Sequence, residues 1–336
     1  MTDRRRINGP LEGTIPPVFL TSSTHKSIIK RSPTTLRKIF LKTGLTPPAT
    51  GSAFLELPTP STHSTPTLKL TSSVYGPRPL PSSTTFSSNA RLTAELKFSP
   101  FSTPGRRRGY IRDGVERDLS AQLSIALGKS VAVGKYPKSA IDVFVSVLDC
   151  EGGLGDAGDE AGGGVDVGLM SVLATAISCA SAAIADAGIE CFDLVAGGVA
   201  GLVLEQGGVV EEDRVEKSLE VGQDSDDARR GMRKNGKVTL VLDPSPIDGY
   251  IILAAAAVGY MAARDELTLV WTKGSMGWDG DSTDEVERIV DGAITASTGV
   301  RLVINEAVKE RLLLGLKEMG LIRGKAVSGD GDAAMS

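Results

Sequence analysis

Residues 136–153 read YPKSAIDVFVSVLDCEGG, residues 169–190 read LMSVLATAISCASAAIADAGIE, and residues 191–204 read CFDLVAGGVAGLVL. In the first piece Ile141, Val143, Val145 and Val147 recur at every second position, the spacing of a half-buried strand, and Gly152-Gly153 ends it. In the second, Leu169, Val172, Leu173, Ala176, Ile177, Ala180 and Ile184 recur at three and four residues, which predicts a helix. The Ala and Ser between them let that helix lie close on a sheet. Gly188 is placed to close it, because the residue just past a helix often adopts the left-handed conformation that Gly enters without steric cost.

A strand that enters a Gly turn and then a helix is a ready anion site, since the first helical turn presents unpaired N–H groups with partial positive charge. The residues of the loop decide its use. This one carries Asp156, Asp159, Glu160 and Asp166, and no Lys or Arg occurs between Lys138 and Arg214. Two like charges about 4 Å apart repel by about 1 kcal/mol even in water. The loop is therefore expected to reject phosphate. Gly153, Gly155 and Gly158 spell a literal G-x-G-x-x-G, but the helix starts about ten residues too late for a pyrophosphate to sit on it. Gly128-Lys129-Ser130 also fails as a phosphate loop, because Leu123 stands where the pattern G-x-x-x-x-G-K-[ST] needs its first Gly.

Working outward, KIFLKTG and SAFLELP read as a hairpin-like pair of strands, LKLTSSVYGPR as the next, and Arg91–Phe98 as another. Pro58–Thr67 is a Pro, Ser and Thr insertion without a core signal. Asp113 with Glu116 forms a capping box, and Leu119, Leu123, Ala126 and Leu127 continue the apolar face of a helix to Gly128. Residues 205–236 are highly charged and read as an exposed insertion. Val238–Leu242 resumes a sheet, a small apolar stretch follows to Ala263, and Leu267–Trp271 is a strand. Ser282 with Glu285 opens a last helix by a second capping box. Its buried stripe is Val286, Ile289, Val290, Ala293 and Ile294, with Gly299 a candidate kink and the pattern fading near Leu321.

The net charge of -4 hides an asymmetry: from Met1 to Ala94 twelve Lys and Arg face only Asp3, Glu12 and Glu56. A basic first third can meet an anionic partner such as RNA, whereas the later acidic loops cannot. Arg106, Arg107 and Arg108 on a Gly and Pro loop are the densest basic cluster of the folded region. They read either as an RNA backbone contact or as a solvated loop that pairs with a neighbouring subunit. Cys150, Cys179 and Cys191 sit at no metal or disulfide spacing and read as small core residues. His25 and His63 lie in polar low-complexity sequence without the partners of a catalytic or metal-bound His. Tyr250–Ala263, the longest apolar run, is too short for a bilayer, and no secretory apolar segment follows the N-terminal basic cluster. Pro10, Pro16, Pro17 and Pro33 argue against an amphipathic transit helix.

Several motifs resemble one family. DRRRINGP at Asp3, VYGPR at Val74, FSPFSTPGRRRG at Phe98, GKYPKSAIDVFV at Gly134, ADAGIECFDLVAG at Ala185 and LVLDPSP at Leu240 are similar, in order, to the RNase PH family and within it to ring subunits of the RNA exosome. The resemblance implies an α+β fold of the RNase PH kind (ribosomal protein S5 domain 2-like), with helices packed on mixed β-sheets. It also implies the division 1–35 basic tail, 36–325 RNase PH-like domain with insertions near 58–67, 152–167 and 205–236, and 326–336 polar tail.

Active members of that family place a Thr-Arg pair directly after the strand's Gly-Gly to hold orthophosphate, and two later carboxylates to hold a metal ion. Here Leu154 and Gly155 follow Gly152-Gly153. Asp243 and Asp248 stand near the later position, but the second carboxylate should fall within Tyr250–Val258, which has none. The resemblance thus implies a non-catalytic structural subunit with no cofactor, no metal and no membrane association. Its partners would be other RNase PH-like exosome subunits in a hetero-hexameric ring, cap proteins with S1 and KH domains, and RNA in the central channel. The work would be 3′–5′ RNA processing and decay in nucleus, nucleolus and cytoplasm. A phosphorolytic 3′–5′ exoribonuclease is the alternative. A free-standing RNA chaperone is disfavoured, since aromatics are only 4% of the chain and no stacking platform shows in the pattern.

Overall fold

A computed structural model describes residues 32–57, 68–102, 113–150, 167–205, 237–245, 251–274 and 282–318. Two sheets flank a central helix. The first contains β1 (Phe40–Thr43), β2 (Gly51–Leu57), β3 (Leu68–Pro79), β4 (Arg91–Phe98) and β5 (Ser139–Asp149), in the order β1-β2-β3-β5-β4. Its neighbours are antiparallel except β4 and β5, which run parallel. The second contains β6 (Ala196–Glu205), β7 (Lys237–Leu242), β8 (Ile251–Met261) and β9 (Glu266–Gly274), in the order β7-β6-β8-β9, and is antiparallel throughout. The helices are α1 (Gly114–Gly128), α2 (Val167–Asp186) and α3 (Ser282–Glu318).

Strand β5 follows its sequence pattern. Ile141, Val143, Val145 and Val147 are buried with Leu55, Leu70, Val74, Leu96 and Phe98 in one core, while Asp142, Phe144 and Ser146 point to the other face. Burying a side chain of this size stabilises by about 1.5–3 kcal/mol. The core is closed by α1 and α2. Helix α1 starts with the expected capping box, both of whose hydrogen bonds form, an arrangement worth about 1 kcal/mol. Glu116 belongs to that box and also accepts from Phe98 N–H at 2.9 Å, so the cap fastens the helix to β4.

Helix α2 is buried nearly all round because it has a sheet on each side. Val172, Leu173, Ala176, Ile177, Ala180 and Ile184 face the first core, and Met170 and Ala174 face the second sheet with Val199, Ala255 and Ala257. By length and composition α2 could cross a membrane, but 94% of its most apolar window is buried inside the fold, which accounts for its apolarity. Gly188 closes it at φ +69°, as expected. The helix meets the second sheet at backbone contact: a Cβ on Gly197 would lie 2.0 Å from the Ala174 carbonyl oxygen.

The other face of the second sheet is covered by the first half of α3, where Ile289 and Ala293 pack on Ala200, Leu202, Ala254 and Ala256. A Cβ on Gly198 would lie 2.1 Å from the Ala293 oxygen, so helices press on both sides of β6. Beyond the sheet α3 runs alongside α2 and β1, adding Ile304 to the first core. It continues unbroken through Gly299, where Leu36 takes the space of the missing Cβ, so this Gly serves packing and does not end the helix. The expected cap of Ser282 lies outside the described side chains.

Candidate functional site

The strand–turn–helix junction that the sequence offers as an anion site lies between β5 and α2. Its described anchors are Asp149 and Cys150 on one side and Val167 on the other; Gly152, Gly153, Leu154 and the four acids of the loop lie outside the described residues. Arg106, Arg107 and Arg108 lie outside them too, so their two readings stay open. Ser102 and Cys150 are neighbours, since Cys150 N–H donates to the Ser102 carbonyl at 3.1 Å. Among the described residues no group of three or more His, Cys, Asp or Glu could hold a metal ion.

Asp243, one of the two carboxylates singled out in the sequence, is held in a closed ion pair. Asp243, at the end of β7, adopts φ +50° and donates its N–H to the Val199 carbonyl at 2.9 Å. Its carboxylate accepts from Arg37 Nε at 2.7 Å, Arg37 Nη2 at 2.6 Å and the Arg37 backbone N–H at 3.2 Å. The same Nη2 donates to Ser171 Oγ on α2 at 2.6 Å. The Arg37 side chain is 3% exposed and that of Asp243 17%, so the pair is nearly sealed. Beside it a cavity of ≈ 30 Å³, lined by Leu36, Ser171, Thr175, Ser178, Gly197 and Asp243, has room for about one or two waters. An orthophosphate is larger than that. The bidentate guanidinium occupies both carboxylate oxygens, which leaves Asp243 a structural anion.

Asp248 lies outside the described residues. The run from Tyr250 in which a second carboxylate was sought becomes β8, whose Ala254–Val258 are buried between α2 and α3. An ionised group there would be stranded in an apolar layer. Cys150 and Cys179 are buried and Cys191 partly so, none of them in a disulfide. Burial pushes the Cys179 thiol up to about 12, and burial also raises that of Cys191, so neither is a ready nucleophile. Ser130, from the false phosphate loop, donates its hydroxyl to the Asp193 carbonyl at 2.7 Å. His25 and His63 lie outside the described residues.

Two features escaped sequence reasoning. One is a second buried ion pair, Arg301 with Asp193, in which Arg301 also donates to the Leu194 carbonyl while Asp193 accepts from Ala263 N–H at 2.9 Å; it ties α3 to the end of the β6–β8 pair where β6 begins and β8 finishes. The other corrects the expectation of no aromatic platform. Phe40, Phe54, Tyr75 and Phe144 come together on the outer face of the first sheet, with Phe40–Phe54 ring centroids 6.4 Å apart and Tyr75–Phe144 5.9 Å apart. They sit on four strands, so only tertiary pairing could gather them. The signal present in the sequence was Phe144 alone on the polar side of an alternating strand.

The profile of the 3′ exoribonuclease family, domain 1, matches residues 35–190. The chain is 39% identical over 317 residues to exosome complex component MTR3 of Chaetomium thermophilum, covering 92% of this chain and 99% of that one. It is 34% identical over 214 residues to exosome complex component Rrp41 of Methanopyrus kandleri, covering 63% and 76%. Among solved structures, rice Rrp46 superposes with a TM-score of 0.54 at 16% identity over 83% of this chain and 98% of that one, a likeness of fold.

Proposed function

We propose a scaffold and not a nuclease for this chain, which belongs to the 3′ exoribonuclease family of RNase PH-like proteins. It is a subunit of the exosome core ring, of the kind its relatives carry under the name MTR3, and serves RNA processing. End-to-end similarity to such a component carries the membership. The closed Arg37–Asp243 pair supports the absence of chemistry. Phosphoryl transfer to orthophosphate needs cationic groups on the attacking phosphate and on the charge that develops. The sequence has Leu154 and Gly155 where the resemblance expects a phosphate-holding Thr-Arg pair, and Asp243, one of two carboxylates near the expected metal position, is bound to a guanidinium.

In this reading the chain supports 3′–5′ decay and maturation of RNA, including ribosomal RNA, by completing a ring of RNase PH-like subunits. Cap proteins with S1 and KH domains sit on the ring, and RNA passes through it in nucleus, nucleolus and cytoplasm. The test is phosphorolysis. The purified chain, alone and with its co-expressed ring partners, is incubated with 3′-labelled RNA and phosphate. No nucleoside diphosphate is expected from the purified chain, and its release would establish the nuclease instead.

A further inference from the structure

The outer face of the first sheet has no cover among the described residues. α1, α2 and the end of α3 all meet the sheet through its inner core. Five strands spaced about 4.8 Å apart, each with about eight residues in register at 3.3 Å, present on the order of 600 Å². That approaches the roughly 800 Å² per partner of a standard protein interface.

The side chains on this face have the layout of such an interface. Phe40 is 53% exposed and Phe144 40%, both large apolar groups in open contact with water. Arg78 is held in place: its guanidinium lies 5.2 Å from the Tyr75 ring centroid and donates to Asp142 at 3.1 Å. The strand register puts Thr71 beside Phe54 and Ser146, and Ser73 beside Phe144, so small residues lie between the aromatic pairs. The two aromatic pairs stand on either side of these small residues. Charged residues surround them: Lys69 lies 3.9 Å from both Glu56 and Asp149, and Arg91, Glu95 and Lys97 run along β4.

The charge balance decides the class of partner. Lys42, Lys69, Arg78, Arg91 and Lys97 are offset by Glu56, Glu95, Asp142 and Asp149, five against four, and several are already paired with one another. A surface for an RNA backbone carries an excess of cations, whereas aromatic and Arg residues inside a mixed-charge rim are the composition of protein interfaces. We propose that the outer face of the first sheet, centred on Tyr75 and Phe144 with Phe40, Phe54 and Arg78, docks a folded protein of the same complex that inserts an apolar side chain between the aromatic pairs. This rests on the reading of the chain as an exosome subunit and adds to it the surface and the chemistry of the contact.

Hydroxyl-radical footprinting of the full chain, free and in the complex reconstituted from co-expressed exosome components, tests it. Oxidation of Tyr75, Phe144 and Phe40 is expected to fall at least fivefold on assembly. The double substitution Phe40→Glu/Phe144→Glu, with an unchanged thermal melt, is expected to lower retention of one component at least tenfold, while Leu302→Glu on the exposed side of α3 leaves assembly intact. If the complex forms and the three rings stay as reactive as before, the docking surface is wrong and ring membership stands. If the chain joins no complex, both fall. Protection of the same rings in the free chain by single-stranded oligouridylate, reversed by salt, would overturn the protein partner in favour of RNA.

Discussion

The two sheets lie on either side of α2, yet their strands are composed differently. In the first, β3 and β5 alternate Leu or Val inward with Thr, Ser, Tyr, Phe or Asp outward, because one face meets a core and the other meets water. In the second, β6 reads AGGVAGLVLE and β8 IILAAAAVGYM, without alternation, because α2 presses on one face and α3 on the other. The lesson is that burial on both sides replaces alternation with smallness. The space between two helices in backbone contact admits Gly and Ala and little else.

The sharpest way to break the comparison is to add a side chain to each sheet. Gly197→Val puts its Cβ 2.0 Å from the Ala174 oxygen, so α2 must move; a loss of more than about 4 kcal/mol is expected, seen as insoluble protein or a collapsed urea midpoint. Ser73→Val on the outer face of β3 is the matched control, expected to change stability by no more than about 0.5 kcal/mol. Equal sensitivity at the two sites would mean that the second sheet is not held between its helices.

Next in size is Arg37→Ala. It leaves the Asp243 carboxylate nearly buried with its guanidinium gone, for an expected loss of about 3–5 kcal/mol in urea unfolding. Arg37→Leu/Asp243→Asn should recover more than half of it, since Asn tolerates the φ of +50° at that position and brings no charge. A double variant no better than the single would show that the pair holds the first strand to the second sheet by more than charge.

The smallest effect belongs to the turn between β8 and β9. Tyr260 donates its hydroxyl to Asp265 at 2.7 Å, and that bond raises the phenol above its ordinary value. The bond needs the protonated phenol. Its contribution is therefore fully present below the unfolded value of about 10 and is lost as pH rises through the higher folded value. Tyr260→Phe should cost about 1 kcal/mol at pH 7. The gap between wild type and variant should then close as pH is raised above about 10 in urea titrations. A gap that persists there would assign the loss to packing.

Much of the first sheet was legible because alternation is a local pattern. The strand Ile141–Val147, the helix from Leu169, the Gly188 stop and the Asp113 capping box all stand where the residues place them, since each is decided within a few positions. The small apolar stretch after Leu242 gave less. Its Ala residues fit a strand or a helix equally until two helices are known to flank it. At the candidate site, the residues that follow Gly152-Gly153, Leu154 and Gly155, are readable in the sequence. The Arg37–Asp243 bond is not, because 206 residues separate its partners.

By itself the sequence determined which segments are strands and helices in the first half, the spacing of its cysteines at no metal or disulfide interval, and the absence of Lys and Arg between Lys138 and Arg214. These follow from nearest neighbours along the chain and from the chemistry of single side chains. Tertiary structure alone decided that Asp243 is neutralised by Arg37, that β6 and β8 must be small, and that Phe40, Phe54, Tyr75 and Phe144 share one open face. Each of these depends on distances between residues far apart in the chain, and such distances exist only once both sheets have closed on α2.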